Sequence, residues 1–428
     1  WPDFAEKGVI YQLFLRAFTL DGTLKAAEKM LPHLAELGID IVYLCPPVVA
    51  DDDMNEDHWS ERQKKSGIKN PKNPYRLKDY FHVDPEYGTD QDLKDFVRRA
   101  HDLGMKTLLD LVYYHCGPTA VFLEEQPNYV KRNEDSSIRY GLWHFPELNF
   151  DNPEVRQYLW KNMETFIRDF DFDGFRCDVA SSVPLDFWAR ARQEVEVVRP
   201  GCIWLAESVH GAHVLGLRRQ GAYCATDTEL YRAFDMTYDY DIWPWFEGYL
   251  SGENSLRQYI DMLNYQELTY PAGFIKMRCG ENHDTPRLAH WVQDERRLRH
   301  WLAFLYFCRG SMLLYGGTEY APRRQVGLFD ADDNFGDKRS DLSDFLRRCK
   351  AMKQTLPLEG AVWYEVSGGA VIGHYKSPAG ERTGVFDLSG CGGRVSVALA
   401  DGVYKNQLGG DLTVTDGQVD ISGEPMVI

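Results

Sequence analysis

Three carboxylic acids stand where short apolar runs end. Asp178 closes Gly174-Phe175-Arg176-Cys177-Asp178, Glu207 closes Ile203-Trp204-Leu205-Ala206-Glu207, and Asp284 closes Arg278-Cys279-Gly280-Glu281-Asn282-His283-Asp284. Any one of them alone reads as a surface or capping acid. Gathered at one end of a parallel sheet they become a set, because neighbouring acids resist ionising together. One stays protonated while another stays charged, which is the division a general acid and a nucleophile require. Arg176 lies two residues before Asp178, and the strand period of two puts both side chains on one face. A guanidinium there is expected to hold Asp178 ionised. His115, after Asp110-Leu111-Val112-Tyr113-Tyr114, and His283, before Asp284, fall at run ends too and read as donors to substrate hydroxyls.

The elements that must position these residues follow from periodicity. Eight runs read as strands: Gly8 to Phe14, Ile39 to Leu44, Lys106 to Val112, Gly174 to Val179, Ile203 to Ala206, Phe234 to Thr237, Phe274 to Cys279 and Met312 to Tyr315. Helical periodicity fills the gaps, as in Thr23 to Leu37, Asp90 to Leu103, Pro153 to Asp169, Leu185 to Val197, Ser255 to Leu268, Glu295 to Phe307 and Leu342 to Lys353. This alternation predicts an α/β chain built on a (β/α)8 TIM barrel, whose sites lie at the C-terminal strand ends. Two long stretches interrupt it, Val48 to Tyr80 and Cys116 to Asp151. Loops of that length are usually functional. The acidic triplet Asp51 to Asp53, with Lys64, Lys65, Lys69 and Lys72, reads as a solvated loop of mixed charge. After Pro357 short Val/Tyr/Thr runs punctuated by glycine predict an antiparallel β-sandwich. The expected division is barrel at 1–115 and 152–356, a short insertion at 116–151, and a C-terminal β domain at 357–428.

Composition limits the partners. The 428 residues carry 48 Lys+Arg against 65 Asp+Glu, a net charge of −17. That excludes a basic nucleic-acid binder and disfavours anionic membranes, while leaving neutral ligands open. The nine cysteines form no CxxC pair, and no Asn-x-Ser/Thr acceptor occurs. A reducing compartment such as the cytoplasm is expected, although a leader trimmed before Trp1 would leave the same sequence.

These pieces resemble glycoside hydrolase family 13, the α-amylase family, over essentially the whole chain. The resemblance rests on Asp110 to His115, Gly174 to Asp178, Trp204 to Glu207 and Glu281 to Asp284. It extends to Pro74-Tyr75 with Asp79-Tyr80, Val83 to Thr89, Pro146 to Asp151 and Gly316-Gly317-Thr318-Glu319. It implies a catalytic barrel, a domain B after the third strand and a β domain C. It further implies a retaining α-glycoside hydrolase acting on an oligosaccharide or α-glucan, with Asp178 as nucleophile, Glu207 as acid/base and Asp284 as stabiliser. The first two carboxyls are then expected about 5 to 5.5 Å apart. Tyr75 would stack on the sugar at the cleaved bond, with Arg176, His115, His283 and Arg287 as polar contacts. Trp143, His144, Phe145, Trp59, Trp243 and Trp245 are candidate linings of the outer subsites.

The sequence also departs from the family pattern. The position before His115, usually a calcium-binding Asn, is Tyr114, a poor calcium ligand, and the loop after the first strand lacks an acidic cluster. No structural calcium is expected at domain B, and no other metal or cofactor. Asp169-x-Asp171-x-Asp173-Gly174 resembles a calcium loop but has Ala180 at its twelfth position. The Lys-His that follows the nucleophile in many starch-cleaving relatives is here Val179-Ala180, and the Asp that follows the stacking Tyr in exo-acting glucosidases is Arg76. A transglycosylase or isomerase of the same family is the alternative. A catalytically silent carbohydrate-binding homologue is disfavoured, since all three acids are present.

Overall fold

The computed structural model describes residues 3–428; Trp1 and Pro2, with any reading placed on the first residue, lie outside the described residues. Eight parallel strands close a barrel in chain order. They are β1 Val9–Leu13, β2 Ile41–Leu44, β3 Lys106–Leu111, β4 Gly174–Cys177, β5 Ile203–Ala206, β6 Met236–Tyr238, β7 Ile275–Cys279 and β8 Ser311–Tyr315. Apart from Lys106 every residue in them is buried, as strands covered on both faces must be. Each expected run carries one of these strands. The chain gathers into two compact units, one of Tyr11–Tyr238 with Val326–Gly336, the other of Asp239–Gln325 with Asp337–Ile428 and residues 3–10.

In the first unit, helices Asp90–Asp102, Pro153–Arg168 and Leu185–Val198 lie where periodicity placed them. Thr89 starts the first with a capping box completed by Asp92, which satisfies two orphan amides. The single helix expected from Thr23 to Leu37 is two, Leu24–Glu28 and Leu31–Leu37. Pro32 explains the break: its ring lacks an N–H and crowds the carbonyl four residues back, at Glu28. The 116–151 insertion contains no strand. It is tied by isolated antiparallel bridges, His115 to Glu147, Val130 to Leu148, Arg132 to Ile138 and Tyr140 to Pro146.

The loop after β2 corrects the sequence reading. Asp52 is exposed and pairs with Lys78, as a solvated loop would, but Asp51 is fully buried. Its carboxylate accepts from the Thr119 amide and hydroxyl, both at 2.8 Å. Beside it the buried Arg76 donates to the carbonyls of His58, Asp51, Asp53 and Pro71. The loop is therefore pinned from inside, and Arg76 is directed into it.

In the second unit, helices Leu256–Thr269, Glu295–Phe307 and Ser343–Gln354 match their expected spans closely. The C-terminal region forms a four-stranded antiparallel sheet in the order β16 Met426–Val427, β11 Gly380–Phe386, β10 Ala370–Ser377 and β9 Ala361–Ser367. Two further pairs join β12 Arg394–Ser396 to β15 Gln418–Asp420 and β13 Gly402–Lys405 to β14 Asp411–Val414. Ile372 and Val385 from the sheet share one core with Val395, Leu412, Val414 and Val419 from the pairs, so the layers pack face to face.

Candidate active site

Arg176 organises the first unit's polar core. Its side chain is fully buried on β4, on the same face as Asp178, as the period of two requires. One nitrogen donates to Asp110 at 2.9 Å and to Asp178 at 2.7 Å. Nε donates to the Tyr238 hydroxyl at 3.0 Å, and the remaining nitrogen lies 3.1 Å from Glu207. Asp110, near the end of β3, in turn accepts from the hydroxyls of Tyr43 at 2.7 Å and Tyr75 at 2.8 Å. The rings of Tyr43, Tyr75 and Tyr238 surround the guanidinium at 5.3 to 5.9 Å. One cation thus faces three carboxylates from β3 and the ends of β4 and β5.

That imbalance sets the electrostatics. Burial raises the Asp178 carboxyl well above its ordinary range, the Glu207 charge raises it further, and Arg176 only partly offsets them. Burial likewise pushes Asp110 up to about 6, against the pull of Arg176. Arg176 thus favours the ionised Asp178, as expected, while burial and the neighbouring Glu207 carboxylate oppose it. Burial disfavours the charge on Arg176 itself, but Asp110 and Glu207 overcome that and hold it well above its ordinary value.

Val179, the next residue, is left-handed at φ 46°, which for a β-branched side chain is strained. The turn ends β4 at Cys177 rather than at Val179, and it aims the Val179 N–H at Glu207, 2.8 Å away. This donor was absent from the sequence reading, since no local pattern announces a left-handed valine.

His115 is 2% exposed, and burial lowers its pKa to about 4, so it is neutral at pH 7. Its Nε2 donates to the Tyr75 carbonyl at 2.7 Å, while Nδ1 has no partner among the described residues. The donor expected for a substrate hydroxyl is committed to Tyr75, and the nitrogen left over accepts. Tyr114 donates to Glu147 at 2.8 Å, an arrangement that does not fit cation ligation. Among the described residues no group of three His, Cys, Asp or Glu side chains is placed to hold a metal. Trp59, expected as a lining residue, is instead buried, with its indole N–H on the Asp53 carbonyl.

In the second unit, Asp284 is the exposed acid of its group, with a side chain 38% exposed and 3.4 Å from Nε2 of the buried His283. Asn282 shapes the turn, its side chain accepting from the Asp284 amide at 2.8 Å. Arg287, expected among the substrate contacts, is fully buried. Its guanidinium donates to the Gly316 carbonyl at 2.7 Å and lies over the Tyr315 ring at 4.4 Å. It joins the segments that follow β7 and β8.

The sequence matches the family described as alpha amylase, catalytic domain, over residues 7–144 and 128–347, and the bacterial alpha amylase C-terminal domain over 364–428. An alpha-amylase from Lactobacillus plantarum of known crystal structure is 33% identical, with a TM-score of 0.92 over 99% of this chain and 98% of that one. A maltogenic alpha-amylase from Thermotoga neapolitana is 28% identical, with a TM-score of 0.82 over 98% of each chain. The intracellular maltogenic amylase of Bacillus subtilis is 28% identical over 79% of this chain and 56% of its own length. This chain spans about half the length of the curated relatives it matches. A barrel closed by eight parallel strands, the buried arginine and acids at its strand ends, and both domain matches agree: the chain belongs to the α-amylase family of glycoside hydrolases.

Proposed function

We propose that this chain is a retaining hydrolase of α-glucosidic bonds in α-glucans or malto-oligosaccharides. The observation that carries the reading is the buried Arg176 guanidinium shared by Asp178 and Glu207, at 2.7 and 3.1 Å. Two acids gathered on one cation suit a double displacement. A double displacement requires Glu207 to enter carrying a proton. The charge that raises Asp178 is then gone, and Arg176 pairs with an ionised nucleophile. Asp178 attacks the anomeric carbon while Glu207 gives its proton to the glycosidic oxygen, which leaves with the bonding electron pair. The glycosyl ester formed on Asp178 is uncharged, so Arg176 now faces the Glu207 carboxylate. Glu207 takes a proton from water as that water attacks the same carbon, and Asp178 departs ionised.

Tyr75 offers its ring to the sugar, oriented by the hydrogen bond to Asp110. By family resemblance Asp284 orders sugar hydroxyls and favours the distorted ring, with His283 beside it. We assign the chain to a reducing compartment, the cytoplasm, on its nine free cysteines. Among the described residues no helix is long and apolar enough to cross a membrane.

A panel of starch, pullulan, maltose to maltoheptaose, isomaltose, trehalose and sucrose, read by chromatography and proton NMR, tests the proposal. Shorter sugars, a rise in reducing ends and an α-anomer formed first are expected, with Asp178→Ala slowed about a thousandfold or more. Longer or rearranged sugars without new reducing ends would show transfer instead, and a β-anomer formed first would exclude retention.

A further inference from the structure

Glu207 stands just past the point where β5 ends. The register of β5 with β6 runs through Leu205 with Met236 and Ala206 with Thr237, and the strand stops at Ala206. Toward β4 the Glu207 N–H donates to the Cys177 carbonyl at 3.0 Å. Toward β6 side chains take over. Ser208, the next residue, is fully buried and donates its hydroxyl to Asp227 Oδ2 at 3.2 Å, with the Tyr238 carbonyl 3.4 Å away. The same carboxyl oxygen accepts from the Thr237 hydroxyl at 3.2 Å, and Thr237 in turn accepts from the Tyr231 hydroxyl at 2.9 Å. One oxygen ties the end of β5 to the end of β6.

Asp227 opens the short helix Asp227–Leu230 and is 4% exposed. A buried carboxyl is costly, so its use is better sought in what it holds than in stability. What it holds is specific. The residue before Ser208 is Glu207 and the residue after Thr237 is Tyr238, and both face Arg176, at 3.1 and 3.0 Å. We propose that Asp227 is a positioning residue for Glu207: through Ser208 and Thr237 it fixes the strand ends from which Glu207 and Tyr238 reach the guanidinium. A general acid works only within hydrogen-bond reach of the oxygen it protonates, so a displacement of about 1 Å is enough to slow proton transfer. The inference rests on the acid/base reading of Glu207 above.

The test compares kcat/KM on maltoheptaose, whose departing hydroxyl needs a proton, with kcat/KM on a nitrophenyl α-maltotrioside, whose phenolate leaves with little help. Asp227→Ala and Ser208→Ala are each expected to lower the first about tenfold to a hundredfold and the second less than about threefold. Ser208→Ala removes one hydroxyl only, and circular dichroism checks that both variants fold. Asp227→Asn keeps an oxygen able to accept from both hydroxyls and is expected to recover most of the loss. Glu207→Gln runs beside them as the reference. Equal losses on the two substrates in folded Asp227→Ala and Ser208→Ala, or no loss on either, would overturn the positioning role while Glu207→Gln still discriminates between them. Equal losses in Glu207→Gln itself would overturn the acid/base reading beneath it.

Discussion

At the scale of single residues, what matters around Arg176 is a count: one guanidinium, three carboxylates. Asp110 carries a prediction. Its ordinary value is 3.8, and the fold raises it to about 6 through burial. A carboxyl raised by folding stabilises the native state in full below its unfolded value and loses that contribution as pH rises through the folded one. Denaturant melts between pH 4 and pH 7 are therefore expected to show wild type losing on the order of 2 kcal/mol relative to Asp110→Asn across that window. Parallel pH profiles would remove Asp110 from the titrating cluster. The sequence made Arg176 and Asp178 legible as a same-face pair, because period two is a local property. The sign of the Asp178 shift was not legible, because it depends first on burial and then on carboxylates that β5 and β3 bring from distant positions. The commitment of His115 to the Tyr75 carbonyl was hidden for the same reason.

At the scale of elements, β4 is constrained at both ends. Gly174 pairs with Ile203 of β5, and a Cβ on it would stand 2.0 Å from the Ile203 carbonyl oxygen. A backbone atom cannot swing aside as a side chain can. Gly174→Ala is thus expected to cost about 1 to 3 kcal/mol in a urea melt. It should also lower kcat/KM, since β5 carries Glu207. Gly216, in helix Gly211–Arg219 with open space around its Cβ position, supplies the contrast: Gly216→Ala is expected to stabilise by roughly 0.5 to 1 kcal/mol. Equal effects at the two sites would refute the close-approach argument. Most element spans were legible because apolar runs and caps are short-range signals. Pro32 stands inside the span Thr23 to Leu37, where a missing N–H divides a helix that periodicity alone runs through. The strand expected from Phe234 begins at Met236, because Phe234 still closes a helical turn onto Leu230 and the Asp235 carboxylate is engaged by the Trp204 amide and by Arg192.

At the scale of the molecule, the barrel and the β-rich C-terminal region were both readable from the texture of the chain, with the change falling after Pro357. The interior of the 116–151 insertion was not, since it is organised by isolated bridges and single side chains rather than by any repeating pattern. The net charge of −17 says nothing about the three acids in the buried cluster, which one arginine governs. The free thiols divide more usefully: eight of the nine cysteines are buried and Cys391 is exposed. A maleimide reagent should therefore add one equivalent to the native chain by mass spectrometry and nine to the denatured chain, and more than one on the native chain would contradict this burial. That contrast turns the protein into its own reporter. Without any engineered mutation, Cys391 offers one position for a dye on the C-terminal domain, and the eight interior thiols count each opening of the fold.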